Sequence, residues 1–518
     1  MLLMKYLIFF YFFVLSLLMR FPFFFKDVID WDESTFILLG QSVLDGYLPY
    51  TELLDVKPPL LSVVFALFIF ALGKSIIAVR LAGSICVALA AWFTYIVGQK
   101  IWDYKTGLLA GTWFIFIVSF ILSGQAIMSE HIALVPMMGA IVLIANSKLT
   151  PPRLFWVGFL ITVASMIRLN LAYVVLIVGF VTTLNIPFQG QSFSWFVKKV
   201  ALRGLAYATG SLVVVSLTFL PYLLTGQFSV WWQNVVVLSL NYASSQLSWL
   251  RAMQIHFDTI LFTIFEKGKV LILAKPFGIA FISLLVWLGG LLGLGIIAIR
   301  TTKNLSGWKQ RDTIALVVFF ASTGLSIVRG GAAFPHYLIQ LVPFAALFAA
   351  AGFNLVFEKA RNWQIAIALL LSIAIAIQPI LPEYRQFQLR AMAGKPLRHG
   401  PAYEIADYLK QANGDRKPVY MAIDHIVYWL VEQKPLTNLI HPSNISRNYV
   451  LEVTIGSGTT TEIELARLLA QKPEFIVTIR NIWYLENKDI AKALFEETLR
   501  NDYKLVKEIQ GRQIYQRR

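Results

Sequence analysis

The sequence predicts a polytopic α-helical membrane protein of about 11 transmembrane helices plus interfacial helices, with a small C-terminal α/β extramembrane domain. Three observations predict it. The 518 residues are 57% hydrophobic and 14% charged, where a soluble chain carries about 25% charged residues. Mean hydropathy is +0.66. Apolar runs of spanning length recur from Met4 to about Leu381. The net charge of +16 would suit a nucleic-acid partner, but Lys and Arg fall between apolar runs rather than on one soluble face. No nucleic acid is therefore expected; membrane lipids are. The single cysteine, Cys86, lies in an apolar run and excludes an intrachain disulfide and a cysteine-based metal site.

The elements follow in order. The first span covers about 4–24; bulky Met19-Arg20-Phe21-Pro22 offers no small-x-small cleavage site, so it is read as retained. A polar stretch runs from Lys26 to Pro59. The apolar run Leu60–Leu72 is short for a crossing and fits an interfacial or re-entrant helix. Further spans lie at about 77–99, 106–123, 131–146, 153–168, 171–186, 200–224, 276–299, 313–328, 336–357 and 363–381.

Sidedness follows from charge. If 60–72 does not cross, one side receives Lys100 and Lys105; Lys148 and Arg153; Lys198, Lys199 and Arg203; Arg300, Lys303, Lys309 and Arg311; Lys359 and Arg361. That is the positive-inside pattern and puts the N-terminus in the cytoplasm. The outer side then receives Lys26–Pro59, the turn at Glu130, the loop of about 225–275, the turn at Arg329 and the tail. Outer Arg251, Lys267, Lys269 and Lys275 soften the bias, either because an anion is handled there or because the topology of that loop differs. Residues 1–382 form the membrane domain and 383–518 the extramembrane one. In the latter, 418–423, 474–478, 504–508 and 513–516 read as strands, and 426–432 and 491–501 as helices.

The chemistry-bearing residues all fall on the outer side. Asp30-Trp31-Asp32-Glu33 places carboxylates beside an apolar surface, where one can take a proton from an acceptor hydroxyl; a solvated loop with an interfacial Trp is the competing reading. In Lys57-Pro58-Pro59-Leu60, Pro58 forces Lys57 to be extended and Pro59 is placed to open the next helix. Lys57 is thus fixed where an ammonium meets a lipid phosphate, specifically or as a headgroup contact. Ser129-Glu130-His131 opens a span, with helix capping by Ser129 as the alternative to a site role. By parity Glu130 shares a face with Asp32. Arg168 and Arg329 sit at outer helix ends against the usual bias; they either snorkel or bind phosphate in a bidentate way. His336, after Pro335, lies in a first helical turn, as a donor-phosphate ligand or a hydrogen-bonded interfacial histidine.

This order of motifs resembles the GT-C glycosyltransferases: Asp32-Glu33, then Lys57-Pro58-Pro59-Leu60, an acidic second outer turn, and Pro335-His336-Tyr337. It is most like the protein mannosyltransferase and aminoarabinose transferase superfamily, with its bacterial lipopolysaccharide-type sugar transferases, over roughly residues 1–380. The resemblance implies a polyprenyl-phosphate-linked sugar as donor and transfer on the outer face. It implies that Asp32, with Glu33 beside it, is the base and that Lys57 lies near the donor phosphate. At the second-loop acidic position, often Asp, this chain has Glu130. Arg168, Arg329 and His336 extend the phosphate site by side and charge alone. The acceptor stays open between glycan, lipid and protein. No cofactor is required; a divalent cation between Asp32 and Glu130 is compatible with hard-ligand chemistry. The compartment expected is the bacterial inner membrane, with 383–518 periplasmic. Two rivals stand: a lipid-linked-sugar transporter or flippase, which would carry ionisable residues at mid-membrane, and a noncatalytic envelope-assembly protein.

Overall fold

The computed structural model describes residues 2–186, 192–244, 247–266, 269–270, 277–304, 307–330, 332–357, 361–414 and 416–518. Lys267, Lys275, Gly331 and Lys359 lie outside the described residues, as do the side chains of Lys269, Arg300, Lys303 and Lys309. Among the described residues, seven helices are long and apolar enough to cross a membrane: Tyr6–Phe25, Ile76–Ile101, Phe193–Leu224, Gly278–Ile299, Arg311–Val328, Pro335–Val356 and Asn362–Met392. Four of the shorter apolar helices, Tyr104–Phe120, Ser129–Ile144, Pro151–Ile167 and Leu169–Leu184, match the remaining expected spans.

Contacts divide the chain into two compact units. One comprises Met1–Phe23, Arg80–Thr218 and Gln246–Leu389; the other comprises Phe24–Val79, Phe219–Ser245 and Arg390–Arg518.

The first unit is helical. A tight helix crossing in it joins Phe277–Asn304 to Val342–Val356 through two glycines. A Cβ on Gly352 would stand 2.5 Å from Gly293 Cα, and one on Gly293 would stand 2.0 Å from the Phe348 carbonyl oxygen. Small residues at such crossings let backbones touch, which supplies the dispersion contacts that hold helices together in lipid. Gly352→Val should therefore cost about 1–3 kcal/mol through overpacking. A thermal melt of the purified variant in detergent checks this; an unchanged midpoint would contradict the crossing.

A buried arginine organises the next segment. Arg20 ends α1 (Leu2–Arg20) and donates to the carbonyl oxygens of Gly124, Gln125 and Ala126 at 2.5, 3.0 and 3.0 Å. These carbonyls belong to a turn that no helix ladder satisfies, so the guanidinium supplies the partners that an apolar setting lacks.

In the second unit, Lys26–Pro59 is not the uniformly polar stretch the hydropathy suggests. It contains α2 (Trp31–Leu44), capped by Asp30, and buries Phe36, Ile37, Leu38 and Leu39. A window average hides this helix, because its first turn is acidic and its buried face also carries Ser34, Thr35 and Ser42. α3 (Pro59–Leu72) follows, with proline at its first position as the sequence predicts, and packs on α2. Within the expected loop 225–275, the described residues are also largely helical, with Phe228–Trp232 and Leu238–Ser244 in this unit and Trp249–Ile264 in the first.

The tail carries the sheet of this unit, with helices around it. Its strands are β1 (Val419–Met421), β2 (Phe475–Ile479), β3 (Tyr503–Ile509) and β4 (Arg512–Arg517), ordered β1-β2-β4-β3. β1 and β2 are parallel and buried, as their apolar runs require. β3 and β4 form a hairpin closed by Gln510-Gly511, with φ of +47° and +79°. Two positive φ values make the tight turn whose twist suits paired strands, and Gly511 adopts its value without strain.

Candidate active site

Within the second unit, the Asp30 side chain accepts the Asp32 backbone N–H at 2.8 Å and so starts α2. Asp32 and Glu33 then occupy the first turn, where the helix dipole favours negative charge. Glu33 is buried, while Asp32 keeps 18% of its side chain exposed. Lys57 precedes Pro58, which is extended, and its carbonyl accepts the Tyr50 hydroxyl at 2.5 Å. This fixes the backbone from which Lys57 Nζ reaches Asp32 Oδ2 at 2.9 Å. The ammonium also lies 5.5 Å from the centre of the Phe36 ring. The two motif residues that the sequence singles out 25 positions apart are thus a direct ion pair.

The tail supplies partners that the sequence reading missed. Leu54 N donates to Asn438 O at 2.7 Å, Ile440 N donates to Leu54 O at 3.4 Å, and Asn444 Nδ2 donates to Asp55 Oδ1 at 3.0 Å. These bonds hold His441 with Nε2 3.6 Å from Asp32 Oδ1 and Nδ1 3.0 Å from Ser443 Oγ. His425 is fully buried, with Nε2 2.8 Å from Thr35 Oγ1. Trp31 packs edge-on against both imidazoles, with ring centres 6.2 and 5.9 Å away, and lies 5.8 Å from Trp483. The one available signal was compositional: of six histidines in the chain, His399, His425 and His441 fall in the tail.

Burial holds the His425 imidazole well below its usual range, and repulsion from His441 adds to this. Burial also lowers His441, against the attraction of Asp32 and Asp55. A histidine whose folded pKa lies below the unfolded value of about 6.5 contributes stability that is present above about pH 6.5 and lost as pH falls toward the folded value. The melting temperature should therefore drop between about pH 7 and pH 5, and His425→Gln should flatten that slope. Fluorescence-monitored melts check this, and a slope unchanged by His425→Gln would contradict it.

A second charged group lies within the first unit. α4 (Ser129–Ile144) begins after Met128, and the His131 imidazole, not Ser129, supplies the cap: Met128 N donates to His131 Nδ1 at 3.2 Å. The Ser129 hydroxyl has other partners, since Oγ accepts from Arg168 Nη1 at 2.9 Å and donates to Glu130 Oε2 at 3.1 Å. Arg168 closes the helix Pro151–Ile167 in an extended conformation and brings Nη2 to 2.9 Å from Glu130 Oε1. Its guanidinium lies 4.1 Å from the centre of the Tyr337 ring. His336, in the 3₁₀ turn Pro335–Leu341, has Nε2 3.7 Å from the same Glu130 oxygen. His256, which the sequence did not single out, stands 6.3 Å from Tyr337 between ring centres. Full burial of Glu130 demands such partners, because an unpaired carboxylate there would be costly. Arg329 is exposed beyond the helix Gly307–Val328 and joins none of these contacts. Among the described residues no group of three or more His, Cys, Asp or Glu is arranged to hold a metal ion.

The chain shares its fold with solved structures of ArnT and of an archaeal oligosaccharyltransferase. The chain is similar to ArnT from Cupriavidus metallidurans bound to undecaprenyl phosphate, with a TM-score of 0.59 and 11% identity, covering 99% of this chain and 97% of that one. The apo state of ArnT matches with a TM-score of 0.57, 12% identity and coverage of 96% and 95%. The apo oligosaccharyltransferase of Archaeoglobus fulgidus matches with a TM-score of 0.53 and 11% identity, covering 92% of this chain and 69% of that one. No family model and no curated protein matches the sequence.

Proposed function

We propose that the chain is an inverting glycosyltransferase that moves a sugar from a polyprenyl-phosphate donor to an acceptor at the outer face of a bacterial inner membrane. The observation that carries this reading is the Asp32–Lys57 pair. A carboxylate at a helix start is held 2.9 Å from an ammonium on a proline-stiffened segment, in a chain that shares its fold with ArnT bound to undecaprenyl phosphate.

In the reaction, Asp32 accepts the proton of the acceptor hydroxyl, oriented by the buried Glu33 turn. The acceptor oxygen forms a bond to the anomeric carbon as the bond from that carbon to the phosphate oxygen breaks. The electron pair leaves with polyprenyl phosphate, whose charge rises. Lys57 stabilises that charge, a kind of preorganised contact that can supply about 3–4 kcal/mol of barrier lowering. Within the first unit, Glu130 holds Arg168, and Arg168, Arg329 and His336 are groups that suit a phosphate by their chemistry alone. The reading needs no nucleotide and no metal. The distribution of Lys and Arg supports a cytoplasmic N-terminus and a periplasmic 383–518 domain.

The test is transfer from a panel of radiolabelled undecaprenyl-phosphate sugars in membranes containing the chain or its Asp32→Asn variant. Label moved by the first and not by the second supports the reading and names the sugar. Lipid-linked sugar that crosses the bilayer unconsumed would replace it with the flippase reading.

A further inference from the structure

Packed on Trp31, the residue before Asp32, is an aromatic group that the chemistry above does not use. Trp483 opens the 3₁₀ turn Trp483–Leu485 and leaves 53% of its surface exposed. Its neighbours are anchored: Ile482 and Leu485 are buried, Leu485 N donates to Ile482 O at 3.0 Å, and the Tyr484 hydroxyl donates to Ala422 O at 2.7 Å. The exposed indole is therefore held on a rigid turn. It lies 5.8 Å from Trp31 between ring centres, tilted by 37°. Trp31 adjoins Asp32 in the chain, and His441, packed on Trp31, has Nε2 3.6 Å from Asp32 Oδ1.

We propose that Trp483, backed by Trp31, is the stacking platform for the sugar ring of a saccharide acceptor, one hydroxyl of which is presented to Asp32. This rests on the reading of Asp32 as base and narrows the acceptor to a carbohydrate. A pyranose offers one apolar face of C–H groups and a rim of hydroxyls. An indole face meets the former, and the Asp32 carboxylate and the His441 imidazole are partners for the latter. A peptide acceptor fits less well. Extended peptides bind by main-chain pairing with a free strand edge, and the extended backbone near Asp32 is already paired, Leu54 with Leu439.

The test uses the full chain in proteoliposomes. Methyl glycosides of glucose, galactose and mannose are compared with a serine-containing hexapeptide, both as transfer acceptors and by saturation-transfer NMR. With Trp483→Ala, KM for the methyl glycosides should rise roughly tenfold, KM for the donor should stay, and the NMR transfer to the glycosides should fade. Trp483→Phe should restore most of both. Glycoside KM and NMR transfer unaffected by Trp483→Ala would overturn the platform, as would Trp483-dependent use of the hexapeptide with no use of glycosides. The NMR arm needs no turnover, so the two readings fail separately. Trp483-dependent glycoside binding with no transfer from any donor leaves the platform standing without the transferase. Transfer to glycosides that ignores Trp483 does the reverse.

Discussion

Asp32→Asn should reduce sugar transfer by about 10²–10⁴-fold, the usual worth of a positioned general base. Asparagine has nearly the same shape and offers an oxygen to the Lys57 ammonium, so the 2.9 Å contact can persist in a neutral form. It cannot take the acceptor proton. The loss should appear in kcat, and KM for the donor should change little, because binding the phosphate does not require the carboxylate. A melting temperature within a few degrees of the parent would show that the fold survives. Turnover at the parent rate would remove Asp32 from the mechanism.

Arg168→Met should destabilise the protein by about 3–5 kcal/mol, the cost of leaving a buried charge without its partner. Glu130 is fully buried and keeps its oxygens on Arg168, Ser129 and His336. Removing the guanidinium strips the strongest of these and also opens the space above Tyr337. The double change Glu130→Gln with Arg168→Met should recover much of the loss, because no carboxylate is then stranded. Melts of both variants in detergent measure the difference. Equal stability of single and double variants would mean that the pair is not what keeps Glu130 tolerable.

The two charge groups were legible in the sequence to different depths. Lys57 and the start of α3 were legible because two prolines restrict the local backbone whatever the rest of the chain does. Glu130 and Arg168 were visible as charges at the ends of apolar runs, yet nothing in either run announced that they pair. α2 was hidden because polar side chains on it find distant partners: the buried Thr35 in His425, and the half-buried Gln41 in Trp429. His441 was out of reach for the same reason. Its position depends on Leu54 pairing with Leu439, a non-local contact for which no local propensity exists. The strands of the tail were legible through their alternation and apolar runs. The hairpin turn at Gln510-Gly511 became explicit only with its two positive φ values.

The pairing of Thr35 with His425 spans 390 positions. A chain made at about 5–20 residues per second needs roughly 20–80 s to cover that distance. Throughout that interval α2 has left the ribosome while the imidazoles that flank its first turns do not yet exist. Asp32 thus acquires its surroundings almost last. A nascent or prematurely terminated chain would carry the lysine motif and the carboxylate without His441 beside Asp32 and without His425 and Trp483 packed on Trp31. The order of synthesis itself keeps an unfinished chain from presenting a finished site.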